Sequence, residues 1–191
     1  MLTLLIDTET GGLTPNYSVL SVGAVVLDVN TGNILEEFEA KVRLASLADY
    51  KVTSKALEIN KLSVQDCFEN GISPEAIRDK LLDMYVKHGC TLLGGHNFLY
   101  DVEMLTANIF NCSISEFKQA FTYRWLDSLT VMRLFEGHNE VPAGASLEKT
   151  AKALGVKVAD KSKLHSALVD IKLTAAILHK FRTLLMGLSL K

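Results

Sequence analysis

Leu2-Thr3-Leu4-Leu5-Ile6-Asp7-Thr8-Glu9-Thr10-Gly11-Gly12 opens the chain with an apolar run that stops at an acidic, glycine-bearing turn. So short and apolar a run suits a strand buried on both faces at the centre of a sheet, ending at Asp7. Side chains two apart on a strand share a face, so Asp7 and Glu9 project together from its end. Gly11 and Gly12 let backbone approach a ligand closely, and Thr8 and Thr10 add hydroxyls at the same edge. A strand ending in solvent produces the same string, so its meaning depends on what surrounds it.

Working outward, residues 19–27 are dense in valine and leucine, and residues 34–44 form a second strand-like run. Asp28-Val29-Asn30-Thr31-Gly32-Asn33 supplies the turn between them, so the chain is expected to begin as an antiparallel three-strand meander. Helical patterns follow. Ser73-Pro74-Glu75 reads as an N-cap with proline at the first helical position, Ile77, Leu81 and Tyr85 repeat every four residues, and Lys87-His88-Gly89 is the stop. Residues 91–94 form a short strand, residues 99–110 a helix, residues 123–126 another strand and residues 129–135 another helix. Ser146 caps a helix through Leu154, Asp127 is an N-cap, and Ser166 opens the last helix, striped by Ile171, Ala175 and Leu178. Residues 45–51 and 155–164 are the expected mobile loops. Strands that first pair antiparallel and then alternate with helices predict an α/β fold: a mixed sheet, meander plus parallel strands, flanked by helices.

At 191 residues and 48% hydrophobic, the chain is sized for a single domain over residues 1–191. A net charge of −2 excludes the global basic field that drives sequence-independent duplex binding, so any nucleic-acid contact must be local. Cys67, Cys90 and Cys112 lie far apart without zinc-ligand spacing and read as buried apolar residues of a reducing compartment. The start is too short for a signal segment or a spanning helix, which makes a cytoplasmic protein without membrane contact the expectation.

Two further segments carry acidic residues. In His96-Asn97-Phe98-Leu99-Tyr100-Asp101, Asn97 and Asp101 share the face nearest a helix start, just past a strand that runs out at Gly94 and Gly95. Open sheets hold ligands in such a crevice. In His165-Ser166-Ala167-Leu168-Val169-Asp170, a spacing of five separates the two functional groups by about 140° on a helix, so His165 belongs to the loop and Asp170 to the first turn. A histidine there is suited to take a proton near neutral pH. Crowded carboxylates repel and push one another's pKa upward, whereas hard divalent cations make the crowding favourable. Asp7, Glu9, Asp101 and Asp170 with His165 therefore read as a metal-dependent phosphodiesterase, provided the fold gathers them.

In this order, from residue 7 to residue 170, the motifs resemble the DEDDh group of 3′–5′ exonucleases, which includes epsilon-type proofreading subunits, ribonuclease T and oligoribonuclease on a ribonuclease H-like fold. Asp7-Thr8-Glu9-Thr10-Gly11-Gly12-Leu13 is similar to the group's Asp-Thr-Glu-Thr-Thr-Gly-Leu, with Gly11 in place of a threonine, a change expected to loosen the turn. Ser166 stands where many relatives carry an acidic or amide residue. The resemblance implies two divalent ions, Mg²⁺ or Mn²⁺, one held by Asp7, Glu9 and Asp170 and the other by Asp7 and Asp101, with His165 as general base. It implies that Thr8, Thr10 and Leu13 meet the terminal nucleotide and that Asn97 meets the sugar-phosphate. The expected substrate is single-stranded or frayed DNA, shortened from its 3′ end to nucleoside 5′-monophosphates. RNA 3′-end trimming is the alternative, and a non-catalytic nucleic-acid-binding module a more distant one. Lys152, Lys157, Lys161 and Lys163 are read either as phosphate contacts or as a solvated face. His96 is read as a substrate contact or a structural hydrogen-bond partner, and Phe98 and Tyr100 as base-stacking or core residues. The apolar group Leu184, Leu185, Met186 and Leu188 either completes the last helix or seats a partner, with a homodimer and a replication or repair partner both open.

Overall fold

The computed structural model describes residues 1–136, 144, 146–157 and 166–187. Its five-stranded sheet has the order β3-β2-β1-β4-β5. β1 (Leu2–Thr10), β2 (Val19–Asp28) and β3 (Asn33–Lys41) form the expected antiparallel meander, and β4 (Leu92–Gly95) and β5 (Trp125–Asp127) add parallel to β1. β1 does not end at Asp7. It continues to Thr10 because β2 keeps pairing with it, Asp7 opposite Gly23 and Glu9 opposite Ser21, until a register shift between Glu9 and Thr10. Backbone pairing is indifferent to side-chain polarity, so the apolar pattern fades before the strand does.

Helices cover both faces. Leu4, Ile6, Val22, Ala24 and Val26 pack under α3 (Pro74–Lys87) and α4 (Phe98–Leu105). Leu5, Val25 and Leu27, of the opposite parity, pack against Ile171, Ala175 and Leu178 of α8 (Ala167–Gly187). That parity decides the site: Asp7 and Glu9 share the face of Leu5, toward α8, while Thr8 shares the face of Ile6, toward α4.

Several elements differ from their expected form. α1 (Ser54–Asn60), α2 (Val64–Asn70) and α5 (Ile114–Ala120) are helices of seven residues, too short to carry a stripe, each started by a side-chain cap from Thr53, Ser63 or Ser113. The segment expected to be a mobile loop before α1 contains a 3₁₀ turn, Leu47–Asp49. It is followed by buried Tyr50, whose hydroxyl donates to the Val42 carbonyl at 2.8 Å and accepts from the Leu44 amide at 3.1 Å. α4 stops at Leu105 and passes into a π-helical turn, Thr106–Phe110. α6 (Ser128–Phe135) and α7 (Leu147–Ala153) start at their expected caps, Asp127 and Ser146. Among the described residues no helix is long and apolar enough to cross a membrane, and the three cysteines are free. Most of the second expected loop, together with Lys161, Lys163, His165 and Leu188, lies outside the described residues.

Candidate active site

The parallel pairing of β4 with β1 ends at Leu5 opposite Gly94, so the β4 side of β1 is left without a strand partner over its last residues. Asp101, in the first turn of α4, takes that place. Its Oδ1 accepts the Thr8 amide at 3.0 Å and the Thr8 hydroxyl at 2.7 Å. The hydroxyl of Thr8, expected at the substrate, donates to this carboxylate, and Thr8 itself is buried.

Asp7, Glu9, Asp101 and Asp170 act on one another electrostatically. Burial, then the charges of Asp101, Glu9 and Asp170, raise the Asp7 carboxyl well above its usual range. Glu9 is pushed up to about 8, by burial first and then by Asp170, Asp101 and Glu39. Asp101 is pushed up to about 7 by burial, against the opposing pull of its bonds from Thr8. Distant segments therefore do meet: β1, α4 and the first turn of α8 bring all four expected carboxylates into one field. Among the described residues no three His, Cys, Asp or Glu side chains stand arranged to hold a metal ion. Their chemistry nevertheless suits a hard divalent ion, since oxygen donors that destabilise one another as anions are what such an ion neutralises.

A sequence-family match spans residues 4–178 and carries the description exonuclease, with ribonuclease T as its namesake. The chain belongs to this exonuclease family. No curated protein sequence matches it. Solved structures of exonuclease I share its ribonuclease H-like fold. One, described as suggesting how processivity is achieved, is 24% identical with a TM-score of 0.77, over 95% of this chain and 41% of that one. The zinc-bound complex of Escherichia coli exonuclease I with single-stranded DNA is 22% identical with a TM-score of 0.78, over 97% and 41%. The exonuclease I of Methylocaldum szegediense is 19% identical with a TM-score of 0.72, over 95% and 40%. The chain thus spans about two fifths of the length of the exonuclease I chains it matches.

In this family member a cavity of about 440 Å³ adjoins Glu9, lined among others by Thr10, Leu13, Tyr17, Lys55, Ile59 and Asn60. Leu13 is 87% exposed at its rim, an apolar side chain with no core to join. Beneath it the turn is held tightly. Thr10 Oγ1 and the Tyr100 hydroxyl lie 2.7 Å apart and both reach the Gly12 carbonyl, at 2.8 and 2.9 Å. Asn60 donates to the Thr10 carbonyl at 3.1 Å. Gly11 does not loosen this turn: a Cβ there would stand 2.4 Å from the Lys51 carbonyl oxygen, so the glycine allows residues 51–53 to pack against it.

Asn97 is exposed, with φ 59 and ψ 47, a left-handed conformation unusual for a residue with a side chain. Its amide donates to Asp127 Oδ1 at 3.0 Å, the same oxygen that accepts the Leu129 amide and caps α6. Asp127 is therefore an N-cap, as expected, and also a clamp on the α4 entry. His96 Nδ1 lies 2.9 Å from Ser128 Oγ, and burial lowers its pKa, in keeping with the structural alternative. Phe98 is core, edge-on to Trp125. Lys152 pairs with Glu148 at 2.9 Å. Leu185 and Met186 of α8 are exposed. The sequence reading missed Gly23, Glu39 and Asn60. Only the strand register, with Gly23 between Asp7 and Glu39, brings the first two forward.

Proposed function

We propose that this exonuclease is metal-dependent and works in the 3′–5′ direction on single-stranded or frayed DNA ends, releasing nucleoside 5′-monophosphates. The observation that carries the reading is the meeting of four mutually repelling carboxylates beside a cavity of about 440 Å³ that is open to an exposed apolar rim. Structures of matched exonuclease I chains hold dT13 and dA16 oligonucleotides, which supports DNA as the polymer. Another is an ExoI/SSB-Ct complex, which makes a replication or repair partner the favoured setting over a homodimer. Residues 1–191 act as one exonuclease domain in this reading, in a reducing, cytoplasmic compartment where unpaired thiols persist.

Asp7, Glu9 and Asp170 would hold one Mg²⁺ or Mn²⁺ ion and Asp7 with Asp101 a second. When bound, the ions supply charge stabilisation for both the attacking and leaving oxygens of an in-line displacement. The protein's own groups do the rest. Thr8 fixes Asp101, and Thr10, held by Tyr100, shapes the floor on which the terminal nucleotide rests. Leu13 packs on its base and Asn97 meets its sugar-phosphate. His165 takes the proton from the attacking water, a role suited to a side chain of ordinary pKa about 6.5.

The test is digestion of matched 5′-labelled DNA and RNA oligonucleotides with and without chelator. Successive single-nucleotide shortening of DNA, abolished by chelator, is expected. Asp7→Ala should lower the rate more than about 10²-fold, and His165→Ala should remove most of the rate together with the acidic limb of the pH profile. Faster shortening of RNA overturns the polymer, and an active Asp7→Ala overturns the site.

A further inference from the structure

Asp7, Gly23 and Glu39 stand side by side across β1, β2 and β3, each the register partner of the next. Residues paired across a sheet point to the same face, so this row faces α8 with an acidic side chain at each end and no side chain in the middle. The first turn of α8 lies in that gap. A Cβ on Gly23 would come within 2.3 Å of the Ala167 carbonyl carbon and 2.5 Å of the Leu168 nitrogen, so the helix backbone rests directly on the β2 backbone. On one side of it Asp170 acts on the Glu9 carboxyl more strongly than any other charge does. On the other side Glu39 Oε1 accepts the Ser166 hydroxyl at 2.7 Å and the Leu168 amide at 3.3 Å.

A helix start leaves its first amides without partners, and a side-chain oxygen usually supplied by the preceding residue satisfies them. Here Ser166 spends its hydroxyl on Glu39, and a carboxylate from another element serves the Leu168 amide. Glu37, two residues before Glu39 and on the same face of β3, pairs with Lys172 at 2.6 Å, so β3 grips α8 along its first two turns. The Asp170 amide in turn donates to the Ser166 carbonyl at 3.0 Å, which links the residue Glu39 holds to the backbone of the site carboxylate.

We propose that Glu39 is a positioning residue of the exonuclease site: with the gap at Gly23 it fixes the height and rotation of the first turn of α8 and so sets Asp170 against Asp7 and Glu9. Glu39 touches no substrate in this role. It acts through the hydrogen bonds it accepts. Its charge works the other way, because a further anion near Glu9 adds to the repulsion there. The proposal rests on the carboxylate site proposed above, and on Asp170 in particular.

Two substitutions separate bond from charge. Glu39→Gln keeps an oxygen able to accept from Ser166 and Leu168 and removes the charge, whereas Glu39→Ala removes both. Mn²⁺ binding to the full chain without substrate, read by electron paramagnetic resonance of the free ion, and kcat on single-stranded DNA are the measurements. Glu39→Ala should weaken Mn²⁺ binding about tenfold and lower kcat alongside, the scale on which supporting hydrogen bonds act on metal sites. Glu39→Gln should stay within about twofold of the parent in both. Parental Mn²⁺ binding and kcat in Glu39→Ala overturn the proposal, and so does a Glu39→Gln as impaired as Glu39→Ala. Asp170→Asn examines the underlying site separately. If it digests DNA at the parental rate, the carboxylate assignment falls and the role of Glu39 with it. If it is inactive while Glu39→Ala is unaffected, only the positioning role falls.

Discussion

Thr8 shows how much a single residue's role depends on what the fold brings to it. From the sequence it is a hydroxyl at the end of an acidic strand, equally able to meet substrate or protein. In the structure its amide and hydroxyl both go to Asp101, a residue whose burial would otherwise favour the neutral form. Thr8→Val keeps the amide bond and the side-chain shape but loses the hydroxyl. A hydrogen bond to a charged group contributes about 1.5–3 kcal/mol, so kcat should fall about tenfold or more while KM changes little. Thr8→Ser should stay close to the parent. Steady-state kinetics on a DNA oligonucleotide distinguishes this from a substrate contact, for which KM would carry the loss. The carboxylates themselves were legible as residues, because Asp-x-Glu, the Asn97 to Asp101 spacing and the His165 to Asp170 spacing are local patterns. Their partners were not, since the bond between Thr8 and Asp101 spans 93 residues and nothing local encodes it.

Between elements, geometry is set where backbones approach most closely. Gly23 is such a place. In the sequence it is one glycine within a valine-rich run, where a bulge is the ordinary reading. Its actual task appears only when α8 is laid on β2. Gly23→Ala should force the helix start outward, destabilising the protein by about 1–3 kcal/mol, as overpacking does. It should also weaken activity beyond what the lost stability explains, because Asp170 rides on the displaced turn. Thermal melting together with kcat below the transition would show both effects. On the opposite face of the sheet, Glu36 of β3 holds α3 through Lys80 at 2.7 Å, Lys87 at 2.9 Å and His88 at 2.7 Å. Their hydrogen bonds lower the Glu36 pKa from 4.5 to about 2. A depressed carboxyl pKa gives stability that is complete above the unfolded value and is lost as pH falls from about 4.5 toward 2. Glu36→Gln should therefore melt below the parent at pH 6–7 and converge with it near pH 2, a convergence that scans from pH 2 to 7 would reveal. The elements that periodicity missed, α1, α2 and α5, are short enough that their caps are the whole signal. Ser113 with Glu116 forms a readable capping box, whereas the length of each helix is fixed by what it packs against.

At the scale of the molecule, two helical layers pack on opposite faces of one sheet, and the acidic cluster joins β1 to the first turn of a helix from each layer, α4 and α8. Burying apolar residues on both faces fixes the strand and helices in place, and with them carboxylates that repel one another. Without a cation the cluster opposes folding near neutral pH, as anions held close together and partly out of water must. A divalent ion that binds the folded chain and not the unfolded one reverses this by mass action, contributing about 2.7 kcal/mol when present at a hundred times its dissociation constant. For a chain of this size such an increment raises the melting temperature by about 5–11 °C. Adding Mn²⁺ to chelator-treated protein should produce that rise at pH 7.5, and Ca²⁺ a smaller one, since its larger, more flexible coordination suits the small cluster less well. Asp7→Asn removes a charge from the centre of the cluster and should have two opposite consequences. The chelated protein should melt at or above the parent, because repulsion is relieved, while the Mn²⁺-dependent rise should largely disappear. A mutant that melts lower without metal yet keeps the full rise would show that the cluster is held by packing alone and that the ion binds elsewhere.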